Sequence, residues 1–195
     1  VRGVPFTPDG KHTLAAGLTG AALWELATGK VTRTFDCAGL TCHWAAPSPD
    51  GALVLVAGGR ADGSGHGGAG EVRVFETNTG KRVKTLTGPA GAVAHATFSA
   101  GGGRIVAACL DSTARVWDLE TGKEEAALRH PSGRWVQRAA LTTDGRHLVT
   151  TSSYPAARPG TDDIAVWHLW TGKPLFASDV SHGGCSLALT ADGRA

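Results

Sequence analysis

The sequence predicts an all-β protein built from four-stranded antiparallel units, and three observations support this fold class. One pattern of short strands and tight turns occurs four times and begins a fifth time. Each full unit carries a Thr-Gly-Lys triplet whose glycine lies five positions after an aromatic residue: Trp24 and Gly29, Phe75 and Gly80, Trp117 and Gly122, Trp167 and Gly172. No segment of ten or more residues shows a convincing helical periodicity. Repetition at this period indicates stacked supersecondary units.

The repeat also predicts how the chain is divided. We place the units at approximately 1–35, 42–86, 92–128 and 135–177, with the start of a further unit at 184–195. Successive triplet glycines lie 51, 42 and 50 residues apart, so the second and fourth units carry insertions. Because the chain starts inside a strand, contains no Met and stops just past a turn, we expect a fragment of a longer protein.

The segments within a unit have the patterns of strands. Val72–Phe75 and Ala114–Trp117 alternate with period two, as half-buried strands do. Leu53–Ala57 and Ile105–Cys109 are continuous apolar runs, which are typical of strands covered on both faces. The Asp-Gly and Thr-Gly pairs between strands supply the positive φ that a tight hairpin requires.

These motifs make the chain resemble the WD40-repeat family of β-propellers over nearly its whole length. The resemblance rests on the turns Phe6–Gly10 and Ser48–Gly51, on Asp111 followed six residues later by Trp117, and on the four Thr-Gly-Lys triplets. It implies a β-propeller of four-stranded antiparallel blades, here four blades plus the first strand of a fifth, packed radially around a channel. The repeats are divergent, in the style of bacterial members.

The resemblance also implies a hydrogen-bonded tetrad of His, Ser or Thr, Asp and Trp in each well-formed blade. That tetrad is incomplete here, because Ala107 stands at the Ser or Thr position of the third unit, and Leu18 and Ala69 stand at the Asp position of the first two. We therefore expect the blades to be held together mostly by apolar packing. The structural blade residues implied are Trp24, Phe75, Asp111, Trp117, His130 and Trp167.

Composition argues against several classes of partner. Charged residues make up 18% of the chain, the net charge is +2 and no basic run of five occurs, so we expect neither nucleic acid nor membrane as a partner. No apolar stretch is long enough to span a bilayer. The four cysteines form no dense framework, which favours a reducing, cytoplasmic compartment.

Two motifs could suggest a cofactor, and both have a structural alternative. Cys37, Cys42 and His43 have the spacing C-x₄-C-H, a rare variant of the covalent haem motif, and could also supply part of a zinc site, although no fourth ligand is apparent. The Thr-Gly-Lys triplets are not phosphate loops, because strand aromatics stand where the first glycine of such a loop is needed. We predict no cofactor, no metal and no catalytic residue.

Topology predicts which end of the units binds partners. The Asp-Gly and Thr-Gly-Lys turns lie at one end and are nearly uniform, whereas the connections at the other end vary and include both insertions, 58–70 and 152–163. Long loops on a rigid scaffold are where function concentrates. The residues predicted to contact a partner are Arg60, His66, Arg134, Tyr154, Arg158, Asp162 and Asp163.

The sequence therefore favours a non-catalytic scaffold that binds a protein or peptide through its loop-rich end. Two alternatives remain. The chain could be a sensor or regulatory propeller fused to an enzyme such as a bacterial protein kinase, or an enzymatic propeller that binds a metal or cofactor in its channel. Fold alone does not decide between these.

Overall fold

The computed structural model describes residues 4–17, 20–60, 68–153 and 162–180, and this part of the chain is all-β. Fifteen strands form four antiparallel sheets, and neighbours in sequence are neighbours in each sheet. This arrangement confirms the predicted fold class. The first strand of a fifth blade lies outside the described residues.

The strand bounds follow the repeat. Sheet 1 contains β1 (His12–Gly17), β2 (Gly20–Glu25) and β3 (Val31–Asp36), and Phe6 makes an isolated antiparallel bridge to Thr13. Sheet 2 contains β4 (Leu40–Pro47), β5 (Leu53–Arg60), β6 (Gly70–Glu76) and β7 (Arg82–Thr87). Sheet 3 contains β8 (Val93–Phe98), β9 (Arg104–Cys109), β10 (Thr113–Asp118) and β11 (Glu124–Arg129). Sheet 4 contains β12 (Trp135–Leu141), β13 (His147–Ser153), β14 (Asp162–His168) and β15 (Pro174–Val180).

In sheets 2, 3 and 4 the first strand lies at the centre of the assembly. β4 contacts β8, and β8 contacts β12, while the outermost strands β7 and β11 are mostly exposed. The sheets therefore radiate from an axis as propeller blades, with the apolar core divided into layers between successive sheets.

The constant spacing of the strand aromatics from repeat to repeat corresponds to one shared packing role. Phe75 and Trp117 are each 1% exposed, and each belongs to a core cluster shared with the preceding sheet. Trp167 packs in the same way against sheet 3. Trp24 holds the equivalent position in sheet 1 and is 39% exposed, because no described sheet precedes it.

The Thr-Gly-Lys triplets form hairpin turns, as predicted. Their glycines have φ between 65° and 72°, the left-handed region that non-glycine residues avoid. In three of the four turns the threonine hydroxyl donates to a carboxylate three residues earlier at 2.6 Å: Thr28 to Glu25, Thr79 to Glu76 and Thr121 to Asp118. The triplet is therefore a turn motif rather than a phosphate loop.

Candidate functional site

The antiparallel topology gives the described sheets two different ends. In sheets 2, 3 and 4 we call the end that carries the first–second and third–fourth strand turns the base; in sheet 1 the same end carries the turn before β1 and the β2–β3 turn. The opposite end, which carries the second–third strand turns and the connections between sheets, is the rim.

The base is uniform because the same hydrogen bonds recur in its turns. The hydroxyl groups of Thr7, Ser48 and Thr142 each donate to the aspartate two residues later at 2.5 Å. These bonds hold the pKa values of the three aspartates below the usual range, and a backbone N–H donated to each carboxylate acts in the same direction. The aspartates that accept these bonds are Asp9, Asp50 and Asp144.

A groove of about 320 Å³ lies at the base between sheets 1 and 2. Its lining includes the carboxylates of Asp9 and Asp50 and the cationic side chain of Arg33, with Asn78 at its edge. The base is therefore the competing candidate surface for a binding site.

The rim places the predicted contact residues in different environments. Arg60 ends β5, its side chain is 67% exposed, and its Nε lies 3.4 Å from Glu71. Asp162 begins β14. His66, Tyr154 and Arg158 lie outside the described residues. Arg60 is therefore the accessible cation among the predicted residues whose side chains the structure describes.

Arg134 and Asp163 are the two predicted residues that the structure brings together. Arg134 Nη1 lies 2.8 Å from Asp163 Oδ1, and the side chains are only 13% and 8% exposed. The pair connects the entry to sheet 4 with the start of its third strand. Because most of both side chains is buried, this pair shapes the rim, and any contact it makes with a partner would involve a small part of its surface.

Buried arginines at the interfaces between sheets are residues that sequence reasoning missed. Arg73 Nε lies 2.6 Å from Glu71 Oε1, both side chains are less than 10% exposed, and Arg73 Nη1 donates to the carbonyl of Ala38 at 3.0 Å. The available signal was an arginine two positions before the strand aromatic, in Arg73-Val74-Phe75 and again in Arg115-Val116-Trp117. The expectation that apolar packing dominates is therefore incomplete.

Asp111 lies just before β10 in sheet 3 and has a structural role there. Its carboxylate accepts the backbone N–H of Ala90 at 2.8 Å and the N–H of Thr113 at 3.1 Å, and it lies 3.7 Å from Arg115. Arg115 Nη1 also lies 2.7 Å from Glu124. The carboxylate thus fastens the connection that enters sheet 3 to the turn before β10.

Sheet 4 retains part of the expected tetrad. Trp167 Nε1 donates to Thr150 Oγ1 at 2.9 Å, and the ring of His130 meets the Trp167 indole edge-on, with centroids 6.2 Å apart. His130 Nδ1 lies 2.8 Å from Ser132 Oγ. Burial, with a contribution from the charge of Arg134, lowers the pKa of His130 to about 4. The ring is therefore neutral near neutral pH and acts as a packed hydrogen-bonding group.

A second cluster, at the axis, was also missed by the sequence reasoning. Trp44, His95 and Arg138 each follow a β-bulge at the same place in the first strand of sheets 2, 3 and 4. The rings of Trp44 and His95 lie 4.6 Å apart, and the Arg138 guanidinium lies 5.1 Å from the Trp44 ring centroid. A bulge changes the direction in which the following side chain points. The cluster could therefore be recognised only from the strand pairing and not from the sequence.

The cysteine motif lies at the start of sheet 2. Cys37 and Cys42 are buried thiols, and Cys42 and His43 lie within β4. Across the described ranges, no three His, Cys, Asp or Glu side chains converge as metal ligands would. The same part of the chain contains no helix long and apolar enough to cross a lipid bilayer.

Comparisons with known proteins agree with this architecture. The WD40 family model, described as "WD domain, G-beta repeat", matches residues 80–118. The chain is 37% identical over 83 residues to the WD repeat, SAM and U-box domain-containing protein 1 of Danio rerio. That alignment covers 43% of this chain and 15% of the relative.

A solved structure extends the likeness in fold to almost the whole chain. The chain is similar to a chain of the Kuenenia stuttgartiensis hydrazine synthase structure, with a TM-score of 0.79 and 16% identity, covering 97% of this chain and about half (52%) of the other. At that identity the likeness concerns the fold alone. Together with the repeated turns and the radial sheets, these findings support the WD40 β-propeller resemblance: residues 80–118 match a WD40 repeat, and the described sheets have the arrangement of propeller blades.

Proposed function

We propose that this chain is a non-catalytic scaffold that holds a protein or peptide partner against its rim. The observation that carries the proposal is the difference between the two ends. The base repeats one set of hydrogen bonds from sheet to sheet, whereas each described rim connection has its own sequence and its own contacts. WD40 repeats generally mediate protein–protein interactions, which agrees with a surface of this kind.

The rim offers an exposed cation on a rigid support. Arg60 projects from the end of β5 with two-thirds of its side chain exposed, and the buried Glu71–Arg73 pair fixes the strand beside it. Arginine is enriched at interface hot spots because its fork-shaped guanidinium makes several hydrogen bonds at once. Tyr154 and Arg158 belong to the second insertion. We expect them to contribute to the same surface, because aromatic and arginine side chains are enriched at interfaces.

The non-catalytic part of the proposal rests on how the polar groups are engaged. Arg134 pairs with Asp163, Arg115 with Asp111 and Glu124, and His130 with Ser132. Groups that are held by one another in this way serve packing and orientation. A Soret band or a stoichiometric metal in the purified natural protein would instead favour the cofactor-binding alternative.

A regulatory module within a larger protein is the second candidate. The name of the Danio rerio relative places WD repeats together with SAM and U-box domains, and this chain spans only a small part of that protein. In such an arrangement the same rim would hold the partner, while any chemistry would belong to an attached domain.

Site-specific photo-crosslinking in the full-length natural protein tests the proposal. A benzophenone amino acid replaces Arg60 at the rim or Asn78 at the edge of the base groove, and the protein is irradiated in its own cells. We expect a discrete adduct at position 60, lost when Tyr154 and Arg158 are both replaced by alanine. Adducts at position 78 alone, or equal capture by the double variant, would contradict the rim assignment.

A further inference from the structure

We propose that His147 and His168 form a two-histidine site for a divalent transition-metal ion such as Zn²⁺ at the base of sheet 4. The two imidazoles come from neighbouring strands, since His147 begins β13 and His168 ends β14. Their ring centroids lie 5.9 Å apart, and the ring planes are inclined by 86°. The site is separate from the rim, so it does not depend on the function proposed above.

The strand register places the two side chains beside each other. His147 is paired directly with His168 between β13 and β14. In the next pair outward, the N–H of Leu169 donates to the carbonyl of Arg146 at 2.9 Å. The histidines therefore occupy a non-hydrogen-bonded position, where the side chains of facing residues approach most closely. The sequence carries no spaced metal motif that links these two histidines, since only the strand pairing brings them together.

The same position of the repeat holds different side chains in the other sheets. Each of those pairs includes a carboxylate: His12 with Glu25 in sheet 1, Leu53 with Glu76 in sheet 2 and Arg104 with Asp118 in sheet 3. In sheet 4 both members of the pair are imidazoles. Imidazole nitrogen is a favoured ligand of Zn²⁺, Cu²⁺ and Ni²⁺. Among the described sheets, only sheet 4 therefore presents two such ligands at this position.

The spacing of the rings suits a shared ion. With zinc–nitrogen bonds of about 2.0–2.1 Å, two imidazoles on one tetrahedral ion have centroids roughly 5–6 Å apart. The separation of 5.9 Å falls within this range. Rotation of the rings, without movement of the strands, is therefore enough to aim one nitrogen of each at the ion. Nδ1 of His168 is buried and has no hydrogen-bond partner among the described residues, and a buried polar atom of this kind calls for a ligand.

A nearby carboxylate favours a cation at this place. Asp144 lies three residues before His147, and the Thr142 hydroxyl donates to it at 2.5 Å, which lowers the pKa of Asp144 and favours its ionised form. In sheet 1 the same spacing places Asp9 Oδ2 3.8 Å from His12 Nδ1. The ion would thus lie near a negative charge, and water or a side chain of a partner would take the coordination positions that the two imidazoles leave open.

The proposed ion differs from a resident cofactor. Two protein ligands hold a metal ion less firmly than the three or four ligands of catalytic and structural zinc sites. We therefore expect an ion that exchanges with the solution. The site also lies at the base, away from the axis where an enzymatic propeller would hold its metal, so a metal ion that copurifies in stoichiometric amount would not be explained by these two histidines.

Zinc titration of the full-length natural protein tests the proposal. The protein is freed of metal with a chelator and titrated with Zn²⁺ by calorimetry at about pH 7.5, because metal ligands must be deprotonated. We expect a site for one ion whose affinity falls roughly tenfold or more in His147→Ala and in His168→Ala. His12→Ala, which removes the histidine at the same position of sheet 1, should bind Zn²⁺ like the wild type.

Copper gives a readout that needs no variant. Cu²⁺ binds the same donors more tightly than Zn²⁺, and nitrogen hyperfine lines in its electron paramagnetic resonance spectrum count the bound imidazoles. We expect two nitrogens in the wild type and one in each single variant, while thermal unfolding without metal checks that the variants are folded. The proposal fails if the wild type shows at most one bound nitrogen, or if both folded variants bind Zn²⁺ as tightly as the wild type.

Discussion

The indole of Trp44 stacks on the imidazole of His95 across the boundary between sheets 2 and 3, with ring centroids 4.6 Å apart and planes inclined by 52°. Arg138 of sheet 4 brings its guanidinium within 5.1 Å of the same indole. Three consecutive sheets are thus connected at the axis by one aromatic, one titratable and one cationic side chain. A cation over an indole face is favourable, but the same cation opposes a second positive charge nearby.

His95 should make stability depend on pH. Burial, aided by the charge of Arg138, lowers the pKa of His95 to about 3. The unfolded chain binds this proton below roughly pH 6.5 while the native protein does not, so stability falls as pH drops from about 6.5 towards about 3. Urea unfolding at about pH 7.5 and pH 5 should show a loss smaller by about 1–2 kcal/mol in His95→Gln. An unchanged pH dependence in this variant would show that His95 can be protonated within the native fold.

Equivalent aromatics should differ in their contribution to stability. Trp117→Ala removes a side chain that is 1% exposed and should cost about 3–5 kcal/mol. Trp24→Ala, at the matching position of sheet 1, should cost much less, since 39% of that side chain is already exposed. Thermal unfolding of the two variants measures the contrast. Equal losses would contradict the burial difference between the two positions.

The Arg73–Glu71 pair should behave as a buried ion pair. Arg73→Met leaves a carboxylate that is 5% exposed with only the longer contact to Arg60, and should cost about 3–5 kcal/mol. Arg73→Met combined with Glu71→Gln should cost less than the sum of the single changes, because no uncompensated charge remains buried. A double-mutant cycle from denaturant unfolding gives the coupling energy. Strict additivity would show that the two side chains are energetically independent.

Thr150 should stabilise sheet 4 through its hydroxyl. Thr150→Val keeps the shape but removes the acceptor for the Trp167 indole N–H, and should cost about 1–3 kcal/mol because the donor is then left buried and unpaired. Thr150→Ser retains the acceptor and should recover part of this loss. The free energy of unfolding measures both changes. If valine and serine proved equally stable, the hydrogen bond would have no net effect on stability.

The repeated turn residues allowed the fold to be predicted from the sequence. The Thr-Gly-Lys and Asp-Gly turns are local, since each is determined by a glycine at positive φ and by hydrogen bonds that span only two to five residues. The spacing to the strand aromatic followed from the same local register. Strand identity and the uniform base could therefore be predicted without any knowledge of the neighbouring sheets.

The contacts of the candidate sites needed the tertiary structure. Arg134 and Asp163 are far apart in sequence, and only the entry of sheet 4 beside its third strand brings them to 2.8 Å. Nothing in the local pattern distinguished Trp44 or Arg138 from other strand residues, because their direction depends on bulges that exist only in the strand pairing.

The sequence by itself determined the class of the fold, its repeat and the difference between a uniform base and a varied rim, because these follow from periodicity and from turn residues that act over a few positions. Only the tertiary structure decided which charges are buried together, which aromatic is left exposed and which side chains meet at the axis. Those properties arise between sheets, where residues distant in sequence exclude water from one another and where burial sets the strength of each charge.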